Sequence, residues 1–532
     1  MSFDLVRLGL YWNTIRYLKL IQVYRRAWFK LYRPKIKSGL QSVTPAPVTG
    51  SWIEPPVAGG SWKHEGKQLY FQALNQKSLY KTEGFWRDSD VAYLQLYHRH
   101  YFDQMKSGKA DKTEDWKSIL EKWEKANPIG SKPGWEPYPS SLRITNWVSY
   151  HLLTGGLSDV LIRSLAEQIR FLQKQLEFHL QGNHLLVNAK ASIFGGCFFQ
   201  GKEAQKWLKL GLKLTEKEMN EQILPDGMNY ELSPMYHAII LVDVLDLINL
   251  AYVFPEKIPA AFVSFLKEKA RKMLHALQML SHPKGEIALF GDSAFDVIPP
   301  LSEIEQYAQD VGLEVPSTLK DVEVLENAGY VRLNKDKAVL IVKAGNLGPD
   351  HLLAHAHADT TSFELSVDGN RLVVDTGVDR YRNDQERSRQ RGTPAHNTVT
   401  VDQLDSSEMW SSFRVARRAR PLPLEVTKQD EHLHLRCGHR GYQRLKDPVS
   451  FEREFFLYQD RLEIIDTLSA KQQHHYSWNL YSKQPLQLTV QGKTLEPQQC
   501  IIHENFEEQI QGFRYNLDLQ ANSEVIRSCI AW

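Results

Sequence analysis

The residues best equipped for chemistry lie between positions 355 and 397: His355-Ala-His357-Ala-Asp359, then Asp375-Thr-Gly377, then Arg391-Gly-Thr-Pro-Ala-His396-Asn397. Imidazole nitrogens and carboxylate oxygens so grouped suit a divalent metal, proton transfer, or both. Each falls at the expected start or end of a β-strand. In an extended strand His355 and His357 point to one face, because side chains alternate with period two. Any one of them could be a hydrogen-bonded surface residue. Together, polar groups at strand ends are what a rigidly held binding site requires.

Two more constellations lie upstream. Gly182-Asn183-His184 falls in a loop between two helical patterns, where Asn183 offers an amide and His184 a titratable ring. The blander reading of Asn183 is a helix N-cap. In Asp226-Gly-Met-Asn-Tyr230-Glu231-Leu-Ser233-Pro-Met-Tyr236-His237, the Ser-Pro pair starts a helix. Tyr236 and His237 then occupy its first turn, beside the positive end of the helix dipole, which favours tyrosinate over tyrosine. A purely structural tyrosine is the alternative.

The elements that must hold these residues change character along the chain. Residues 38–70 are rich in Pro, Gly and Ser and read as a linker or extended arm. Helical periodicity runs from about 84 to 310, with helices expected over 158–180, 184–199, 203–221, 234–253 and 259–280. From 311 to 532 short strands follow one another, including 325–344, a hairpin over 361–375 turning at Asp368-Gly369-Asn370, and 431–437, 451–458, 461–467 and 476–481. The fold class is therefore α+β and multidomain: a basic arm (1–83), an antiparallel helical domain (84–310) of toroid or bundle type, and an antiparallel β-sandwich (311–532).

Composition narrows the function. In 532 residues, 65 Lys+Arg nearly balance 63 Asp+Glu, so no global charge points to nucleic acid. The 13 Trp and 22 Tyr offer flat faces for stacking on sugars, or simply fill cores. Cys197, Cys437, Cys500 and Cys529 form no CxxC pair, which fits a reducing compartment. Residues 1–37 carry nine Lys/Arg against the single acid Asp4, with apolar residues at helical spacing. The longest clean apolar run there, Leu8 to Trp12, is too short for a signal-peptide core or a membrane span. The expectation is a cytoplasmic protein whose basic amphipathic N-terminus docks on its own body or on the inner membrane face.

The ordered motifs GNHLL, DGMNYELSPMYH, HAHAD, DTG and TPAHNTV resemble the heparinase II/III-like polysaccharide lyases and related alginate lyases. Arg143-Ile-Thr-Asn146-Trp147 matches the Arg-x-x-Asn-Trp that introduces the helical domain there. The resemblance implies an incomplete (α/α) toroid, a β-sandwich behind it, and a cleft between them. It implies β-elimination on a uronic-acid polysaccharide, with loss of the C5 proton and expulsion of the C4 oxygen. Carried over, Asn183 binds and neutralises the substrate carboxylate with the catalytic His184 beside it, Tyr236 is base, acid or both, and His355 is a further catalytic histidine. His357, Asp375 and His396 resemble ligands of one structural divalent metal, usually zinc. Arg143, Trp147, Tyr230, Glu231, His237, Arg389 and Arg391 are the expected substrate-binding residues, and Arg387 joins the last two as a guanidinium suited to carboxylate or sulfate. Several relatives carry a second tyrosine just before the Arg-Gly-Thr segment. Here Arg387-Ser-Arg389-Gln-Arg391 stands there and Tyr381 is the nearest tyrosine, so a division of labour between Tyr236 and His355 is expected. Asp292 is expected as an interdomain contact.

Two other readings compete. HxHxD also opens the two-metal site of metallo-β-lactamase-like hydrolases, although Thr360 stands where those have histidine. A non-catalytic glycan-binding or assembly protein of surface-polysaccharide synthesis is the third.

Overall fold

A computed structural model describes residues 5–36, 44–65, 68–107, 116–315 and 318–532. Two basic helices open the chain, α1 (Leu5–Ile15) and α2 (Leu20–Leu31). Strands β1 (Ser61–Glu65), β2 (Gln68–Ala73) and β3 (Gln76–Leu79) then form a small antiparallel sheet. Part of the segment read as linker is thus folded. Trp62 and Phe71 pair across β1 and β2 and sit buried against Phe85 and Trp86, a burial that outweighs the Gly/Pro-rich composition nearby.

The helical half comprises α3 (Tyr93–Arg99), α4 (Trp116–Ala126), α5 (Pro137–Thr154), α6 (Asp159–Leu172), α7 (Gly182–Phe198), α8 (Gly201–Gln222), α9 (Pro234–Val253), α10 (Ala260–Met279) and α11 (Leu301–Asp310). The expected helices recur within a few residues, except that the first of them stops at Leu172. α7 and α9 lack an amphipathic pattern because they are buried on nearly all sides. α9 is long and apolar enough to cross a membrane by composition, yet it is a core helix packed inside this half. One continuous core runs from the small sheet through α4–α11.

The C-terminal half is built on a large antiparallel sheet, fourteen strands among the described residues. β4 (Val322–Leu325), β5 (Tyr330–Lys335), β6 (Ala338–Lys343), β7 (Phe363–Val367) and β8 (Asn370–Val373) form a meander. The short helix α12 (Gln385–Arg391), β9 (Val399–Val401) and a hairpin of β10 (Met409–Trp410) and β11 (Arg414–Val415) follow. The rest comprises β12 (Glu425–Lys428), β13 (Leu433–His439), β14 (Ser450–Leu457), β15 (Arg461–Ser482), β16 (Gln487–Val490), β17 (Lys493–Thr494), β18 (Gln498–Ile502) and β19 (Ile510–Ala531). The two strands expected over 461–481 are one long strand, β15, whose pairing with β19 shifts register between Ser469 and His474.

Buried polar groups tie loops to this sheet. Arg453 on β14 pairs with Asp466 on β15 and donates to the carbonyls of Thr361 and Asn397. The Asn397 amide donates to the carbonyls of Phe363 and Val374 and accepts from the Tyr481 N–H, closing the backbone between strands. Glu364 on β7 accepts from His282 and the Leu289 N–H of the helical half, and from Arg371. Burial alone would raise its carboxyl, but Arg371 and His282 hold it at about 2.

Arg143 and Trp147 lie inside the core and are not available to substrate. Trp147 is fully buried against Phe102 and Trp123. Arg143 stacks over Trp123 and donates to Gln168 and the His100 carbonyl. Trp62, Trp86, Trp123 and Trp478 are core residues too. Trp147→Ala should lower stability by about 3–5 kcal/mol through cavity formation. A denaturation midpoint equal to that of the parent protein would show that the ring is not packed as described.

Candidate active site

Four segments from both halves converge where α7 and α9 begin. Gln181 precedes α7 with φ +66, and Leu232 precedes the α9 cap with φ +57. Non-glycine residues in this region carry about 1–3 kcal/mol of strain each. Gly182 also has positive φ (+57), and a Cβ there would meet Glu231 Oε1 and Leu352 Cδ2 at 2.6 Å. This close approach lets the Asn183 N–H donate to Glu231 Oε1 at 3.2 Å. The Asn183 side chain lies beside the Tyr138 hydroxyl. His184 Nδ1 bonds Glu177 Oε1 at 3.1 Å, and its ring packs on Tyr138 at 4.6 Å. Burial would lower the His184 pKa, but Glu177 and Glu231 raise it.

α9 starts at Pro234, capped by Ser233, whose Oγ accepts from the Tyr236 N–H and donates to the Asp292 carbonyl. Tyr236 emerges from the first turn and stacks on His355, ring centroids 3.7 Å apart and planes at 25°. The phenol oxygens of Tyr236 and Tyr381 are 3.1 Å apart. The phenol of Tyr236 is held well above the usual tyrosine range by burial, by Tyr381 and by the Asp292 carboxylate. The expected helix-dipole preference for tyrosinate is therefore overturned: burial and a nearby negative charge outweigh a terminal half-charge.

The HAHAD segment lies in a loop, since residues 344–362 form no strand. His355 and His357 nonetheless turn to one partner. His355 Nδ1 lies 3.0 Å from Asp292 Oδ2, and His357 Nε2 lies 2.8 Å from Asp292 Oδ1. Arg387 donates to both oxygens of the same carboxylate, at 2.5 and 2.8 Å. Burial would raise Asp292, but Arg387 and the two imidazoles hold it well below the usual range. An ionised carboxylate only accepts, so each imidazole donates the proton on the nitrogen facing it. The other ring nitrogen, His355 Nε2, lies 3.7 Å from Glu231 Oε2. Gly291 (φ +59) lets this turn close: a Cβ would meet the His355 carbonyl at 2.7 Å, and that carbonyl accepts from the Asp292 N–H.

The geometry thus brings together Asn183, His184, Glu231, Tyr236 and His355. Tyr230 is a wall behind them, buried with its ring 5.9 Å from that of His351. His237 is elsewhere: fully buried, its ring nitrogens serve the Asn229 N–H and the Met273 carbonyl. Burial holds it neutral, at about 4. Arg387 is committed to Asp292. Arg391 is buried on the carbonyls of Ala356, Ser411 and Leu353, and Arg389 pairs with Glu386 on α12. The expectation of an arginine trio facing substrate is corrected on this ground.

Tyr381 and Phe413 complete the site and were not singled out as site residues from the sequence. Tyr381 restores a second tyrosine, so the single-tyrosine expectation is revised. Phe413, at the tip of the β10–β11 hairpin, is 42% exposed and packs edge-on against Tyr381 (5.4 Å) and His355 (6.4 Å). A search for tyrosines near, rather than at, the expected position would have found the first; no sequence signal marks the second.

Beneath this layer sit the expected metal ligands. His396 Nδ1 bonds Asp375 Oδ2 at 2.7 Å, and the His357 and His396 rings are 5.4 Å apart. His357 Nδ1 and His396 Nε2 are buried with no hydrogen-bond partner. Each ring thus has one nitrogen on a carboxylate and the other open, the pattern of metal-binding histidines. Burial keeps His357 neutral, at about 3. Asp375 is engaged by His396 and the Gly377 N–H, and among the described residues no three His, Cys, Asp or Glu are arranged as a ready ligand set. Asp359 is turned to Lys343 and the Gly291 N–H, so His355, His357 and Asp359 do not share one cradle as a two-metal hydrolase requires.

Comparison with known proteins identifies the family. The heparinase II/III N-terminus model matches residues 62–309, and the heparinase II/III-like C-terminal model matches residues 317–511. The chain belongs to the heparinase II/III-like family. Its relatives include a heparin-sulfate lyase of Pedobacter heparinus, 26% identical over 65% of this chain and 56% of that one. Another, from Bacteroides stercoris, is 24% identical over 70% and 60%. The chain spans a little over half the length of these two relatives. Among solved structures, heparinase III superposes with TM-score 0.64 at 18% identity, covering 82% of this chain and 76% of that one. A heparan sulfate lyase mutant from Pedobacter heparinus gives 0.58 at 18%, over 96% and 87%.

The Asp292–Arg387 pair yields a test. Removing either partner leaves a buried charge uncompensated, so Arg387→Met and Asp292→Asn should each destabilise by about 3–5 kcal/mol. The double variant should lose clearly less than the sum. Additive losses in chemical denaturation would show that the two side chains do not interact.

Proposed function

We propose that this heparinase II/III-like protein is a polysaccharide lyase that cleaves a uronic-acid-containing polysaccharide by β-elimination. The observation that carries the reading is the contact between Tyr236 and His355, with His355 oriented by a buried carboxylate. Elimination needs a base for the C5 proton, an acid for the C4 oxygen, and neutralisation of the carboxylate next to C5. His355 Nε2 is suited to be the base, because Asp292 fixes the proton on Nδ1. Tyr236, held protonated by its surroundings, is suited to protonate the leaving oxygen. Tyr381 positions that phenol and shares its proton. Asn183 and His184 meet the carboxylate, with Glu231 holding the Asn183 backbone. Phe413 offers a ring face to the sugar. At the level of architecture, α5–α11 are read as the incomplete toroid and the large sheet as a folded sandwich, with the division near residue 310.

We further propose that His357 and His396, with Asp375, hold one zinc ion that braces the loop below the site. Two open, buried imidazole nitrogens support this. Zinc there supplies rigidity to the loop that carries His355.

Tyr236→Phe should reduce turnover by about 10²–10⁴-fold, the range of a lost general acid. Tyr381→Phe should reduce it less. The assay is near-ultraviolet absorbance of the C4–C5 double bond, on a panel of uronate polymers. Undiminished turnover in Tyr236→Phe removes Tyr236 from the mechanism, and an unsaturated product from no polymer of the panel removes the lyase reading.

Elemental analysis of purified protein should find one zinc per chain, lost in His396→Ala together with several degrees of melting temperature. Metal-free wild-type protein with the same melting temperature before and after zinc addition would refute the assignment.

A further inference from the structure

α1 and α2 have an inner face fixed to the body and an outer face that stays exposed. The inner face grips both halves. On the sheet side, Tyr11 packs edge-on against Trp410 at 4.9 Å. Thr14 Oγ1 accepts from Trp410 Nε1 and donates to the Val415 carbonyl. Arg418 lies over the Tyr17 ring at 3.7 Å. On the helical side, Gln22 is fully buried and its amide reaches the His351 carbonyl, Phe29 packs on His179, and Lys19 pairs with Glu221. These contacts decide which way each helix faces. Self-docking, one of the two expectations for this segment, accounts for the inner face only.

The outer face is apolar where a surface helix should be polar. On α2 the arc opposite Gln22 and Phe29 carries Leu20, Val23, Tyr24 and Leu31, exposed by 88%, 48%, 57% and 88%. On α1, Leu8, Trp12 and Ile15 recur at i, i+4 and i+7, and Trp12 is 66% exposed. Contiguous apolar exposure of this kind marks an interaction surface. Its charge identifies the partner. Residues 5–36 contain eight Lys/Arg and no Asp or Glu. Arg26 and Lys30, one turn apart, line the flank of α2, and Arg33 follows just past its end. Tyrosine and tryptophan beside an apolar arc, edged by cations, is the make-up of a helix that lies in the lipid headgroup layer. A second copy of the chain would bring like charges together, which disfavours it.

We propose that the outer face of α1 and α2 is a docking surface for an anionic lipid bilayer. The helices lie flat, with the Leu20–Leu31 arc among the acyl-chain ends and the cations among acidic headgroups. The proposal is independent of the lyase reading. It also places the β10–β11 hairpin, which α1 grips and which carries Phe413, beside the lipid surface.

Co-sedimentation of the full chain with vesicles tests it. Wild-type protein should pellet with phosphatidylcholine vesicles containing phosphatidylglycerol, much less with phosphatidylcholine alone, and less as salt rises. Leu20→Glu with Leu31→Glu should weaken binding to the anionic vesicles by about tenfold or more. The melting temperature should not move, because both side chains project into solvent. Lys30→Glu with Arg33→Glu should remove the preference for anionic lipid. Wild-type protein left in the supernatant with anionic vesicles overturns the proposal, as does a Leu20→Glu/Leu31→Glu variant that pellets like wild type. A concentration-dependent dimer abolished by Leu20→Glu/Leu31→Glu, without vesicle binding, would overturn it too and assign the face to a second copy.

Discussion

One buried carboxylate organises the centre of this molecule. Asp292 is fully removed from solvent and receives the Arg387 guanidinium in a forked pair, together with the rings of His355 and His357. An isolated charge at that depth would protonate or reorganise its surroundings. Each partner therefore has to be in place for the others to be tolerable. The segment carrying Asp292 leaves the helical half, while the residues that meet it come from the loop before β7 and from α12. The two halves are held at one spacing by this cluster and by Glu364, which reaches His282 and Leu289 from the sheet side. Ser233 extends the same linkage to the start of α9, where its hydroxyl joins the Asp292 carbonyl to the Tyr236 N–H.

That constraint sets the chemistry available above it. With Nδ1 of His355 taken by Asp292, its Nε2 lies on the Glu231 side and its ring stacks on Tyr236. Proximity of a carboxylate and a second phenol, added to burial, keeps Tyr236 protonated. In the proposed reading, this imidazole and this phenol are the base and the acid that an elimination asks for. A helix N-terminus is a weaker influence than it looks in sequence, because its half-charge competes here with a full charge and with loss of water.

The sequence was most informative where periodicity or turn chemistry is local. α7 to α10 lie close to where the apolar spacing put them, and Asp368-Gly369 turns the β7–β8 hairpin. It was least informative about which motif residues face the site. His237 stands next to Tyr236 and Arg391 shares its motif with His396, while Arg143, Asn146 and Trp147 are all in the core, and nothing in the spacing separates a side chain in the core from one in the site. Three-dimensional pairing decides it: Arg143 over Trp123, His237 on the Met273 carbonyl, Arg391 on Ala356. Tyr381 escaped notice for the opposite reason. It lies six residues before Arg387 in the loop leading to α12, and that loop brings its hydroxyl back to Tyr236.

The same division bears on what differs between members of one family. Most polar residues in the quoted motifs are engaged with other buried groups, as with Asn397 on the carbonyls of Phe363 and Val374. Exchanging any of them leaves a buried donor or acceptor unanswered, so they are poor places to vary substrate preference. The groups free to change are those with one side on the site and one side in solvent. Phe413 is such a group. It touches Tyr381 and His355, it is 42% exposed, and it rides on a two-strand hairpin held from outside by Trp410 against Tyr11 and Thr14. The hairpin also reaches two groups on Asp292: Arg387 lies over the Phe413 ring at 5.5 Å and donates to the Ser412 carbonyl, and Phe413 packs on His355. In the proposed reading, Asp292 orders the proton-transfer groups from beneath while the hairpin meets the sugar from the solvent side, and α1 supports the hairpin through Tyr11 and Thr14 on Trp410.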